Sequence, residues 1–134
     1  VREIMIEVTL ISKKYPRKIK ILLAVYVIGF FVGVITHSID MINGGFLPYT
    51  HAALWKNIYW TLLLPFDFLV IVLILTAVVP GLIVSNLIII SDVIINTRGC
   101  VFFGNYKIIM QTVFGLYVIT TTPIIFLYMF KKVR

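Results

Sequence analysis

Four apolar runs, each close to the length that crosses a bilayer, fill most of this chain: Ile19–Ile42, Trp55–Val79, Pro80–Asn96 and Ile108–Phe130. A hydrocarbon core about 30 Å thick needs roughly 20 apolar residues of helix. A helix satisfies its own backbone hydrogen bonds, which lipid cannot do for it. The expectation is an all-α, polytopic membrane protein, an antiparallel bundle of four transmembrane helices over residues 19–134. Residues 1–18 precede it as a basic, amphipathic segment on the cytosolic side.

Composition agrees. Of 134 residues, 61% are hydrophobic and the mean hydropathy is +1.09, against an apolar share of roughly 45–50% in an average soluble domain. Once four spans are subtracted, only the N-terminal stretch and short loops remain, with no separate soluble domain. The formal charge of +7 does not point to nucleic acid, because the basic residues lie beside the ends of apolar runs, where they anchor topology. Cys100 is the only cysteine, so no intrachain disulfide, Cys-x-x-Cys pair or cysteine-rich metal site forms. It sits beside Val101-Phe102-Phe103 and is expected to pack at the outer surface.

Lys and Arg set the orientation. Nine of the twelve lie at the two ends, Arg2 to Lys20 and Lys131 to Arg134, while Lys56, Arg98 and Lys107 belong to the first and third loops. The positive-inside bias puts both termini in the cytoplasm, in the cytoplasmic (inner) membrane, and the loops Asn43–Leu54 and Thr97–Lys107 outside. Tyr49, Trp55, Tyr59 and Trp60 fit an outer aromatic belt. The first run is too long for the h-region of a cleaved signal and Thr36-His37-Ser38 is no small-residue cleavage site, so it reads as a retained anchor. Val1, Ile4, Met5, Val8 and Ile11 share one helical face, with Glu3 and Glu7 opposite, which reads either as a short surface helix or as a frayed tail.

Asn43-Gly44-Gly45 and Pro48 stop the first helix. The second and third spans are joined by almost nothing, which makes them antiparallel neighbours, and Pro80 suits the first turn of the third. Pro65 and Pro123 fall inside spans, where each frees a carbonyl or kinks the helix. Helices associate in lipid through small and polar side chains. The first span aligns Gly29, Gly33, Thr36, His37 and Asp40 on one stripe, the third Gly81, Ser85, Asp92 and Asn96, the fourth Gln111, Gly115 and Thr122. Gly29, Gly33, Gly81, Ser85 and Gly115 are therefore the expected packing positions.

Three of the five acids, Asp40, Asp67 and Asp92, lie within the spans. An Asp at a helix centre costs about 2.5–3.5 kcal/mol on the insertion scale, so such residues face protein or water and mark candidate sites. Counting along the helices places His37, Asp40, Asp92, Asn96 and Gln111 in the outer part of the membrane around a polar pocket. Asp67, 12 residues or about 18 Å past Trp55, lies deeper, with no Lys, Arg or His at matching depth. These six are the expected ligand- or proton-binding residues.

His37 and Asp40, one turn apart, form either a packing pair or a binding pair, with Asp92 across the interface. His37, Asp40, His51 and Asp92 have metal-donor types but no recognised ligand spacing, so no metal site is expected. His51 reads as an interfacial residue, and Asn86 and Asn96 as hydrogen-bonding glue between helices. Ser38, Ser85 and Ser91 lie near histidine or aspartate without a nucleophile elbow. No Walker loop, dinucleotide fingerprint or His-Glu-x-x-His occurs, and no cofactor is implied.

The segments GVITHSIDMINGGFLP from Gly33 to Pro48, WKNIYWTLLLPFD from Trp55 to Asp67 and IIISDVIINT from Ile88 to Thr97 resemble small bacterial membrane proteins of four helices. That resemblance implies fold and location without an activity. A fainter similarity is to the EXPERA type of sterol-binding and sterol-isomerising proteins, which carry acids in the first two helices around an intramembrane pocket. Asp40, Asp67 and Asp92 are the matching kind of residue, and no role is carried over. The expected function is binding of a small ligand, lipid, proton or cation. The alternatives are an accessory subunit of a larger membrane complex and an intramembrane enzyme on a lipid-like substrate. The expected partners are the lipid bilayer and either further copies of the chain or a larger complex.

Overall fold

A computed structural model describes Arg2, residues 14–97 and residues 106–133. The surface helix or frayed tail expected over Val1–Ile11 and the Cys100 segment lie outside the described residues. Four helices follow in order: α1 (Arg17–Gly44), α2 (Leu54–Thr76), α3 (Val78–Thr97) and α4 (Tyr106–Val133). All four are long and apolar enough to cross a membrane. They start and stop within a few residues of the four runs. The largest differences are three residues, at the end of α2, which stops at Thr76 rather than Val79, and at the end of α4, which continues to Val133 rather than Phe130.

The turn between α2 and α3 is a single residue, Ala77. The Ala77 amide bonds the Leu73 carbonyl at 2.7 Å and the Gly81 amide bonds the Ala77 carbonyl at 3.1 Å, so one residue both closes α2 and opens α3. Gly81 permits it. A Cβ there would stand 2.8 Å from the Ile74 amide nitrogen and 3.0 Å from the Leu73 carbonyl carbon, both backbone atoms that cannot yield. At the other end of the bundle α1 is capped by Gly45, whose amide bonds the Met41 carbonyl at 2.9 Å and whose φ of 82° turns the chain away from the helix. Glycine adopts that left-handed conformation without Cβ strain. The helices run on through Pro65 and Pro123.

Each helix packs on its sequence neighbour, and α1 also meets α4. Tyr26, Val70, Leu82, Val118 and Ile125 are fully buried where the four meet. Edge-on aromatic contacts, Phe30 on Phe114 and Tyr26 on Tyr117, with centroids 5.5 and 5.8 Å apart, join α1 to α4. Only 22–28% of each most apolar stretch is buried inside the bundle. Ile28, Phe68, Leu87, Met110, Leu116 and Leu127 instead point outward. A surface this apolar is the reverse of what water selects.

The expected packing glycines sit at contacts. Gly29 receives the Phe114 ring, Gly33 the Asp67 carboxylate, and Gly115 lies against Ile89 and Val93. The α1 stripe thus divides, Gly29 facing α4 and Gly33 facing α2. Ser85 is fully buried. Thr36 differs from expectation: it is exposed, and its hydroxyl bonds the Gly33 carbonyl on its own helix.

Candidate functional site

The connection between α1 and α2 tucks back into the bundle, and this builds the site. Asn57, buried in the first turn of α2, accepts the Tyr49 amide at 3.0 Å and donates to the Leu47 carbonyl at 3.1 Å. Tyr49 is thereby turned inward over α1. Its hydroxyl donates to Asp40 Oδ2 at 2.9 Å and lies 2.8 Å from His37 Nδ1. The expected His37–Asp40 pair is therefore bridged by a tyrosine. Burial first, then the Asp40 hydrogen bond and the charges of Asp40 and Asp92, push the Tyr49 pKa well above its ordinary value of 10.0. The phenol stays protonated and serves as a donor.

One hydrogen decides the rest. Tyr49 gives its single O–H to Asp40, so its contact with His37 is a donation from Nδ1–H to the phenol oxygen. The neutral imidazole then presents the Nε2 lone pair on its other side. Facing it, 4.0 Å away, is Asp67 Oδ2. Asp67 is 6% exposed, and its carboxylate makes no hydrogen bond among the described residues. This corrects the reading that Asp67 has no basic group at its depth. Counting residues from Trp55 set it too far below His37, because α1 continues to Gly44 before the loop folds back.

Asp92, Asn96 and Gln111 form a neighbouring cluster. Asn96 gives its amide hydrogens to Asp92 Oδ1 and Gln111 Oε1, each at 2.9 Å, and its carbonyl accepts Trp60 Nε1–H at 2.9 Å. All its hydrogen-bonding groups are engaged, and it ties α2, α3 and α4 together as expected of interhelical glue. Asn86 does the same between Leu82 of its own helix and Thr122 of α4, at 2.7 Å each.

The aromatic belt is corrected in part. Trp55 is exposed, with Lys56 Nζ 5.5 Å from its ring centroid. Tyr49, Tyr59 and Trp60 turn inward, because each polar tip finds a partner there: Asp40, Ser91 at 2.7 Å, and Asn96. His51 stacks on Trp60, and no group of three metal-ligating side chains assembles among the described residues. The hydroxyls of Ser85 and Ser91 bond carbonyls of their own helix.

Sequence reasoning missed Tyr49 and a deeper cluster on Tyr26. The Tyr26 hydroxyl lies 2.9 Å from the Val118 carbonyl, 2.9 Å from Thr121 and 2.8 Å from Thr122. A tyrosine among apolar residues looks like core or belt, and the run Thr120-Thr121-Thr122 was the available signal of a polar tip to be met. Compared with protein-family models, curated proteins and solved structures, the chain matches none.

Proposed function

We propose that the chain is a multi-pass protein of the cytoplasmic membrane that binds an exchangeable proton at His37 and Asp67. Its spans form an antiparallel bundle with both termini on the cytoplasmic side. The antiparallel arrangement is supported by contacts that climb one helix while descending its neighbour: Ile74 with Gly81, then Tyr59 with Ser91 and Trp60 with Asn96.

The observation that carries the function is the pair of facing acceptors. An ionised Asp67 and a neutral His37 of the tautomer Tyr49 imposes would oppose two lone pairs across 4.0 Å in a buried site. A proton on either partner turns that repulsion into attraction, so the pair is a proton-holding unit. Asp40 and Tyr49 link it to the outer end of the bundle. Asp92, Asn96 and Gln111 hold the third and fourth helices beside it.

The test is a proton count on purified protein in weakly buffered detergent. Asp67→Asn keeps the shape of the side chain, so it folds, and it takes up one proton fewer than wild type across a sweep from alkaline to acid pH. Equal uptake by folded wild type and Asp67→Asn rejects the reading.

A further inference from the structure

The polar groups inside the bundle fall into two sets, and what separates them decides where a proton at His37 and Asp67 can go. The outer set is continuous. His37 meets the Tyr49 hydroxyl at 2.8 Å, and that hydroxyl donates to Asp40 at 2.9 Å, so hydrogen bonds lead from the pair towards the α1–α2 connection. The pair itself is not sealed: the side chains of His37 and Asp67 are 18% and 8% exposed. No buried side-chain oxygen among the described residues is both closed off and unpartnered. Asp67 makes no hydrogen bond there, so its carboxylate oxygens keep contact with water-sized space.

Inward of the pair the bundle closes. Val70 and Phe30 lie three residues, about 4.5 Å, inward of Asp67 and Gly33, and both are buried. Ile74, Leu82 and Val118 follow in the same core cluster, equally shut off from solvent. From Asp67 to Ile74 is about 10 Å along α2, and space bounded by such apolar side chains stays dry.

The inner polar set does not bridge this gap. The Tyr26 hydroxyl donates to the Val118 carbonyl at 2.9 Å, Thr121 and Thr122 donate to the carbonyls of Tyr117 and Val118 at 2.7 Å each, and Ser85 donates to Leu82 at 2.8 Å. Each of these hydrogens ends on a backbone carbonyl, which accepts a hydrogen bond and has no hydrogen to pass on. No hydrogen bond among the described residues joins this set to His37 or Asp67.

The charged and titratable groups that act on the pair come from every neighbouring element: Asp40 on α1, Tyr49 in the connection, Tyr59 on α2, Asp92 on α3 and Lys107 on α4. All of them lie outward of Asp67 along their own segments.

We infer that the proton at His37 and Asp67 exchanges with one side of the membrane alone, the side of the α1–α2 connection, so that the chain responds to the pH of that side and carries no proton across. This rests on the reading of the pair as the proton-holding unit.

The experiment places single cysteines in the full chain after Cys100→Ser and offers silver ion, small and excluded from lipid, from each side in turn, in spheroplasts and in inside-out vesicles. Thiols that silver reaches are scored by their loss of alkylation after denaturation. Ala52→Cys, in the connection, marks its own side. Asp67→Cys is expected to lose alkylation from the Ala52 side only, and Val70→Cys from neither side. Asp67→Cys that reacts from the opposite side, from both sides or from neither overturns the inference, as does Val70→Cys that reacts from the opposite side. A second measurement uses the unaltered protein in liposomes enclosing a pH-reporting dye, with potassium and valinomycin holding the potential at zero. After a step in external pH, wild type should pass protons no faster than protein-free liposomes. A wild-type leak that Asp67→Asn abolishes overturns the inference by itself. Equal proton uptake by wild type and Asp67→Asn in detergent is a different failure, since it removes the proton-holding pair and leaves the accessibility pattern standing.

Discussion

The Asp67 carboxylate occupies the space left by the missing side chain of Gly33. A Cβ on α1 at that point would fall on Asp67 Oδ2, the same oxygen that faces His37 Nε2 at 4.0 Å. The glycine therefore permits close approach of α1 and α2 and at the same time fixes where the buried acid sits.

Gly33→Leu is expected to destabilise the folded protein in detergent by about 1–3 kcal/mol, the usual range for overpacking a close contact. Ile28→Leu, at a side chain 63% exposed, should stay within about 0.5 kcal/mol of wild type. Equal melting of the two variants would show that the Gly33 face does not pack.

Tyr49→Phe removes the donor to Asp40 and the acceptor of His37 Nδ1–H together. The expected cost is about 1–3 kcal/mol, read from melting at neutral pH. The sign in alkali follows from the raised phenol. Because the Tyr49 pKa is higher in the folded than in the unfolded state, its contribution is full below about pH 10 and is lost as pH rises through the folded value. Tyr49→Phe should therefore lose less stability above pH 10 than wild type does. Identical alkaline profiles would remove the tyrosine bridge.

Orientation is tested by reporters active only outside the membrane. A fusion after Arg134 should be silent and one within Asn43–Leu54 active, from the nine-to-three division of Lys and Arg. Comparable activity at both positions would contradict the topology.

The extent to which sequence predicts this molecule differs between its parts. The four long apolar helices were legible because length and hydropathy are read directly from the chain, and a helix able to cross a lipid core needs about 20 apolar residues regardless of detail. Gly33, Gly81 and Gly115 were legible as packing positions because close helix approach excludes larger side chains. The His37–Asp67 contact was not. Relative height depends on where α1 ends and how far the loop folds back, and Gly45 and Asn57 decide that through contacts no periodicity encodes. Tyr49, Tyr59 and Trp60 were assigned to the belt for a related reason: an amphipathic ring near an interface can point its polar tip either way, and only the presence of Asp40, Ser91 and Asn96 across the gap selects inward.

The central claim, one proton shared by His37 and Asp67 with Tyr49 setting the tautomer, is tested most directly by NMR of protein labelled with ¹⁵N at histidine and ¹³C at aspartate carboxyls. The account predicts that His37 Nδ1 carries hydrogen at every pH in wild type. It also predicts that the His37 Nε2 and Asp67 carboxyl signals both respond in the step that takes up the first proton, because that step belongs to the coupled pair. A His37 that carries its hydrogen on Nε2 alone, or His37 and Asp67 signals that share no titration step, would contradict it.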